Sequence, residues 1–215
     1  KEMRNKKGIA KNLSNMGLVY YEQGDYLNAL KPFFEALEID KELGNKNGMA
    51  VRLGNIGIVY MKQGDYPNAL KYYLEALEID KELENKNGIA IRLGNIGAVY
   101  YNQGDYRDAL KHYTEAIEIA RELGDKRTIA INLGNIGTLF TKQKEYKKAE
   151  KYLKEASSLS DSMGALYEKM QIEKTISQDL YAQTQRYSLA YKHYKIYRTA
   201  KDSLFSEEKS KDIGR

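Results

Sequence analysis

The chain has 215 residues, of which 42% are hydrophobic and 30% are charged, a balance typical of a folded rather than a disordered protein. The 35 Lys and Arg residues outnumber the 30 Asp and Glu residues, but they alternate with glutamates, so no nucleic-acid partner is expected. The absence of cysteine excludes disulfides, cysteine-ligated zinc and thiol catalysis. No stretch approaches the ~20 apolar residues of a membrane span, so no direct membrane contact is expected.

A period of 40 residues runs through the chain. Glycine recurs at that distance at Gly17, Gly57, Gly97 and Gly137, and tyrosine does so at Tyr26, Tyr66 and Tyr106. A fixed period of this size indicates stacked copies of one supersecondary unit. We assign the chain to the tail of a preceding repeat (1–9), four repeats (10–49, 50–89, 90–129 and 130–169), a degenerate fifth repeat (170–200) and a C-terminal helix (201–215).

Each repeat is predicted to be a helical hairpin. In the repeat that starts at residue 50, small and apolar residues recur at helical spacing on both sides of a central break. Gly64 can adopt the left-handed conformation that ends the first helix, and Asp65 can accept hydrogen bonds from the free N–H groups of the second. Pro67 falls in the first turn of the second helix, where its missing N–H costs nothing.

These residues resemble the tetratricopeptide repeat. The repeat at 50–89 carries the resemblance on Leu53, Ile56, Gly57, Tyr60, Ala69, Tyr73 and Ala76, and its neighbours repeat it in register. The resemblance implies an all-α fold, a right-handed superhelix of helical hairpins. The usual repeat has 34 residues, and this longer form is similar to repeats of kinesin light chains and of receptor-independent G-protein regulators. We expect the six extra residues to lengthen the second helix and its loop.

Some positions depart from the pattern. Lys144 and Glu145 replace the Gly-Asp of the turn in the fourth repeat, which must therefore use a different cap. The fifth repeat aligns only at a spacing of 41, with Gln178 at the glycine position. Pro32 falls inside the second helix of the first repeat, where it removes a hydrogen bond, so a bend is expected there.

The two ends suggest a larger protein. KEMRNKKGIA at residues 1–10 aligns with KELGNKNGMA at residues 41–50, so we expect the sequence to be a piece of a longer chain. Residues 191–213 resemble the segment that closes the tetratricopeptide region of Bacteroidetes-type membrane sensor histidine kinases. That resemblance implies a sensory or regulatory region of a signalling protein, periplasmic if it holds and otherwise cytoplasmic.

No pattern in the sequence indicates catalysis. The two histidines, His112 and His193, fall on second helices two repeats apart and are expected to face solvent, not to form a metal pair. Paired glutamates recur with the period and are interpreted as solvated helix charge. No nucleophile motif or phosphate-binding loop is present, and the glycines of GNIG lie on or beside a buried stripe. We expect no enzyme activity, no cofactor and no metal.

One polar position recurs without a packing reason. Asn15, Asn55, Asn95 and Asn135 point away from the buried stripe, toward the inner face of the superhelix, although asparagine is a mediocre helix former. In the repeats that this chain resembles, such asparagines grip the backbone of an extended peptide, because an amide both donates and accepts. The alternative is that this asparagine ladder only hydrogen-bonds between helices.

The neighbours of the ladder define a predicted groove. Apolar residues form its floor, and amides and cations line its rim, at Val51, Ile91, Ile131, Ile58, Lys62, Asn102, Lys142, Arg52 and Arg92. This lining suits a protein or peptide partner with apolar anchors and some acidic side chains. We therefore predict a non-catalytic module that binds an extended segment. The alternative is an architectural or oligomerising array whose groove stays empty.

Overall fold

The computed structural model describes the backbone of residues 2–213 and the side chains of residues 5–209. Consecutive helices follow the chain in this order: α1 (Glu2–Glu22), α2 (Tyr26–Glu42), α3 (Lys46–Gln63), α4 (Tyr66–Glu82), α5 (Lys86–Gln103), α6 (Tyr106–Leu123), α7 (Lys126–Lys142), α8 (Tyr146–Met163), α9 (Leu166–Lys174), a π-helical segment (Thr175–Tyr181) and α10 (Tyr187–Ile213). The predicted all-α fold class is confirmed. Lys1 and residues 214–215, which the predicted tail and C-terminal helix include, lie outside the described residues.

The helices pack as consecutive hairpins within two compact units. The first unit extends to His112 and the second begins at Tyr113, inside α6. In the first unit α1 packs on α2, α2 on α3, α3 on α4 and α4 on α5, and in the second α7 packs on α8, α8 on α9 and α9 on α10. Within each unit, these helices therefore bury one face against the preceding helix and another against the following one, so that hairpins of the same unit share a core.

The predicted core stripes are buried. In the hairpin of α3 and α4, Leu53, Ile56, Ala69, Tyr73 and Ala76 are almost fully removed from solvent. A second, outer contact joins the two helices of the hairpin, where the rings of Tyr60 and Tyr72 stack with their centroids 5.4 Å apart. Aromatic pairs at equivalent positions recur in three later hairpins, at Tyr100–His112, Phe140–Tyr152 and Tyr181–His193.

The turns confirm the predicted capping chemistry. Gly64 ends α3 with φ 77° in the left-handed region, and the Asp65 carboxylate accepts a hydrogen bond from the Asn68 N–H at 3.2 Å. Pro67 lies in the first turn of α4. In the fourth repeat, Lys144 adopts φ 63° at the position of Gly64, and Glu145 begins α8 without a side-chain capping bond. That turn therefore keeps its geometry against the preference of its residues.

Replacing Lys144 by glycine should raise the free energy of unfolding by about 1 kcal/mol, because a side chain in the left-handed region costs roughly 1–2 kcal/mol. Urea unfolding followed by circular dichroism measures the change. Lys147→Gly is the matched control: Lys147 is also exposed but lies in α8, where the same substitution should cost up to about 1 kcal/mol. Equal effects of the two substitutions would contradict the assigned strain.

Three first helices start before the predicted repeat boundaries. The first helices start at Lys46, Lys86 and Lys126, four residues before the boundaries at 50, 90 and 130, which fall inside α3, α5 and α7. The loop before α5 has only three residues, 83–85. The extra residues of the long repeat therefore extend the first helix as well as the second. Pro32 is buried within α2, which continues on both sides of it.

The fifth repeat contains an inserted residue. Ser177, not Gln178, occupies the buried position 40 residues after Gly137, whereas Tyr181 and His193 pair as Phe140 and Tyr152 do 41 residues earlier. The insertion therefore lies between residues 177 and 181, within the π-helical segment. A π-turn accommodates one extra residue and keeps the helix on both sides in register. The prediction of Gln178 at the glycine position was wrong, because Gln178 is exposed.

The segment that leads into the last helix is anchored through Glu150. Its carboxylate accepts hydrogen bonds from the Tyr181 hydroxyl at 2.9 Å and from Arg186 at 2.7 Å, and it pairs with Lys154 at 2.8 Å. Burial alone would raise the pKa of Glu150, but these three donors outweigh it and lower the pKa to about 2. From Tyr187, α10 continues without interruption to Ile213, so the predicted boundary at residue 200 falls inside it.

Candidate functional site

The predicted groove floor lies on the exposed face of the first helices. Val51 on α3, Ile91 on α5 and Ile131 on α7 remain 46%, 41% and 42% exposed. They share their helices with core residues such as Leu53, but a rotation of about 100° per residue turns them away from the core. Isoleucine and valine at these positions stay in water in this structure, and a partner would bury them.

The asparagine ladder occupies the same face. Asn15 is exposed, and Asn55, Asn95 and Asn135 are half-buried. Throughout the described part of the chain, the side-chain amides of these four residues make no hydrogen bond to another group. The alternative role, hydrogen bonding between helices, therefore has no contact to support it within either unit.

The rim residues differ in how free they are. Lys62 and Lys142 are exposed at the ends of α3 and α7, and Ile58 is half-buried. Asn102 is exposed but donates from Nδ2 to the Ala98 carbonyl of its own helix at 2.7 Å. This amide would have to leave its own helix to contact a partner, whereas the two lysines are available without rearrangement.

Arg52 and Arg92, predicted on the basic rim, belong to buried ion pairs. Arg52 donates from Nε to Asp40 at 3.2 Å, and Arg92 donates in the same way to Asp80 at 3.1 Å. The aspartates are only 1% and 2% exposed. Each pair joins the second helix of one repeat to the first helix of the next, so these guanidinium groups fix the stacking of repeats within the first unit.

Two further contacts complete each buried aspartate. Asn85 donates from Nδ2 to the second oxygen of Asp80 at 2.7 Å, and its own Oδ1 accepts from the Gly88 N–H at 3.1 Å. Asn45 and Gly48 do the same around Asp40. The sequence contains the signal, an aspartate followed by an arginine 12 residues later in two consecutive repeats, although the pattern on the first helices alone predicts the arginines on the rim of the groove.

A cavity of about 360 Å³ lies between α7 and α9 in the second unit. α7 lines it with Ile131, Asn135 and Thr138, and α9 lines it with Tyr167, Gln171 and Ile172. Its walls are mainly apolar, and its volume is at the lower end of the range for ligand sites. Two of the residues predicted from sequence, Ile131 and Asn135, thus meet at one cavity.

A second cavity of about 190 Å³ shares Thr138 with the first. It is lined by two lysines, Lys142 and Lys144, together with Asp179, Gln183 and the threonines. The first cavity also contains a carboxylate, Glu168, but this group is buried and held by Arg127 at 2.7 Å. The face of α7 therefore runs from an apolar cavity to one that carries two cations.

The histidines do not face solvent, so that prediction was wrong. His112 stacks on Tyr100 with ring centroids 5.4 Å apart, because it occupies the aromatic position between the two helices of a hairpin. His193 occupies the same position, and its Nδ1 lies 2.6 Å from the buried carboxylate of Glu173. Ser157 donates to the other oxygen of Glu173 at 2.6 Å. Sequence reasoning missed this polar cluster, in which Glu173 and Ser157 stand where the preceding repeats have apolar residues.

Two kinds of feature are absent from the residues that the structure describes. No group of three or more His, Cys, Asp or Glu residues is placed to hold a metal ion there. None of the helices described is long and apolar enough to cross a membrane.

Comparison with known proteins gives a family match and similar folds. The tetratricopeptide repeat model matches residues 8–82 and 88–162, whereas no curated protein sequence matches the chain. BtubC (BKLC) from P. vanneervenii has a TM-score of 0.76 at 16% identity, over 93% of this chain and 82% of that one. Aspartyl phosphate phosphatase F from Bacillus subtilis has a TM-score of 0.74 at 15% identity, over 91% of this chain and 60% of that one. A Rap protein complexed with competence and sporulation factor has a TM-score of 0.64 at 17% identity, over 96% of this chain and 66% of that one.

Proposed function

Because this chain belongs to the tetratricopeptide repeat family, we propose that it is a non-catalytic module that binds an extended peptide or protein segment along its first helices. The cavity between α7 and α9 carries the proposal. It brings Ile131 and Asn135 together on the face that the repeat pattern leaves open. An apolar cavity beside an amide without a partner suits a peptide, which offers both side chains and backbone hydrogen-bonding groups.

The lining favours a particular partner. The cavity of about 360 Å³ would take an aliphatic or aromatic anchor, and the neighbouring lysines would attract an acidic residue next to it. At about 3.3 Å per residue, an extended chain advances roughly three residues for each pair of first helices 9–10 Å apart. The similar fold of a Rap protein complexed with competence and sporulation factor supports a bound factor on this architecture.

We assign no catalytic role to the buried carboxylates among the described residues. The buried carboxylates of Asp40, Asp80, Glu168 and Glu173 are each engaged by a cation, an amide, a histidine or a hydroxyl. The likeness to a protein named as a phosphatase is at 15% identity and concerns the fold. A sensory role within a larger signalling protein rests on the resemblance of residues 191–213 and stays a prediction.

Selection of a displayed library of random ten-residue peptides against the chain tests the proposal. We expect the enriched peptides to share an apolar anchor, and we expect Thr138→Trp, which fills the cavity, to weaken a selected peptide by at least about tenfold. Asn135→Ala should weaken it by about three- to tenfold through the lost backbone contacts. Fluorescence anisotropy of a labelled selected peptide measures both changes.

Matched substitutions away from the groove separate binding from folding. Ser158→Trp adds the same ring to an exposed position of α8, and Asn87→Ala removes an amide from an exposed position of α5. Neither should change the affinity. If selected peptides bind Thr138→Trp as tightly as the unmodified chain, or if no peptide is enriched, the groove proposal fails and the architectural alternative is favoured.

A further inference from the structure

The outer face of α10 exposes large aromatic side chains. Tyr187, Tyr191 and Phe205 are 66%, 61% and 59% exposed, and Tyr194 is also exposed. With two cations they form one line along the helix, here called the α10 stripe: Tyr187, Tyr191, Tyr194, Arg198, Lys201 and Phe205. Aromatic residues concentrated on one solvent-facing line are typical of a contact surface, whereas scattered ones are not.

The spacing of the stripe is that of a helix–helix seam. Its members alternate in steps of four and three residues, the pattern that keeps one line of side chains facing a partner helix. The opposite face of α10, which includes Ala200, is buried in the second unit. The stripe is therefore a second seam, and it has no partner among the residues that the structure describes.

The stripe is also symmetric about its midpoint. Tyr187 at one end mirrors Phe205 at the other, Tyr191 mirrors Lys201, and Tyr194 mirrors Arg198. Each mirrored pair is attractive, since the first is aromatic with aromatic and the other two are tyrosine with a cation. The same chemistry is already formed within α10, where Lys195 lies 4.6 Å from the centroid of the Tyr191 ring.

We propose that α10 pairs antiparallel with the α10 of a second copy of this chain. A two-fold axis at the midpoint of the stripe places each residue opposite its mirror partner, as an isologous interface requires. Parallel pairing would instead set Arg198 against Arg198 and Lys201 against Lys201, which is repulsive. Self-association through this face does not require a ligand in the groove.

The contact is small. The stripe extends over 19 residues of helix, about 27 Å from end to end, and one helix pair of this length buries less surface than a stable obligate dimer needs. We therefore expect a weak, reversible dimer that forms only at high protein concentration. A longer assembly in which other surfaces also meet would increase the effective concentration of the two helices and strengthen the pairing.

Cysteine cross-linking tests the orientation, because these 215 residues contain no cysteine. In Tyr191→Cys/Lys201→Cys, the antiparallel pair places each new thiol opposite the other in the second copy. Within one helix the two positions are about 15 Å apart and cannot bridge. Under mild oxidation this variant should form a reducible covalent dimer at least about fivefold faster than either single-cysteine variant.

Lys192→Cys/Asp202→Cys is the matched control, with the same separation but shifted by one residue off the stripe. It should cross-link no faster than the single variants. Circular dichroism and melting of each reduced variant verify the fold, and sedimentation of the unmodified chain up to about 0.5 mM should show a concentration-dependent dimer. A chain that stays monomeric there, or a Tyr191→Cys variant that cross-links as fast as the double variant, overturns the proposal.

Discussion

Replacing Arg92 by methionine should lower the free energy of unfolding by about 3 kcal/mol, the range seen when one partner of a buried ion pair is removed. Methionine keeps much of the apolar stem, so the loss comes mainly from the charge. Asp80, only 2% exposed, would keep its hydrogen bond from Asn85 but lose its cation. Urea unfolding followed by circular dichroism measures the loss, and the unfolding of the first unit should shift most.

A control and a compensating substitution test this explanation. Arg107 is exposed, so Arg107→Met should change the free energy of unfolding by less than about 0.5 kcal/mol. Asp80→Ala together with Arg92→Met removes both charges and should regain at least about half of the loss. The chain already uses an uncharged version, since Ala120 and Asn132 stand 40 residues after Asp80 and Arg92. A double variant less stable than Arg92→Met would contradict a buried-charge penalty.

The hairpins could be predicted because local signals and the period agree. The glycine and the aspartate of the turn at Gly64 and Asp65, with an amphipathic helix on each side, predict a helical hairpin. In the structure Gly64 ends α3 and Asp65 caps α4. The repeat boundaries were less well determined. Asn45 and Asn85 cap α3 and α5, but they sit among the charged residues of KELGNKNG and KELENKNG, where no apolar stripe marks the start of a helix.

The ion pairs and the register of the fifth repeat could not be predicted from the sequence, for a different reason. Arg92 is polar and lies beside exposed positions, so periodicity alone predicts it at the surface. It is largely buried because it pairs with Asp80, 12 residues earlier, on the preceding helix. In the fifth repeat, the register changes within a helix, and helical periodicity contains no signal for a π-turn. Both outcomes depend on contacts between elements, which a pattern along one element does not encode.

The two glycines of the GNIG motif in α7, Gly134 and Gly137, lie in the same helix but have different packing environments. A Cβ on Gly137 would lie 2.5 Å from Cγ of the fully buried Leu153, and one on the equivalent Gly57 would lie 2.6 Å from the Tyr73 ring. A Cβ on Gly134 would lie 3.4 Å from its nearest neighbour, Cγ1 of Ile172, at ordinary contact distance. Only the second glycine of the motif is therefore needed for helix packing in α7.

Gly137→Ala should destabilise the chain by about 2 kcal/mol, since overpacking costs roughly 1–3 kcal/mol and exceeds the gain in helix propensity. Gly134→Ala, three residues earlier in the same helix, should stabilise it by up to about 1 kcal/mol, because the propensity gain meets no overlap. Thermal and urea unfolding of the two variants give the sign of each change. The opposite signs are the decisive result, because both variants add one methyl group to one helix. If Gly137→Ala were also stabilising, the close approach of α7 and α8 would not be what retains this glycine.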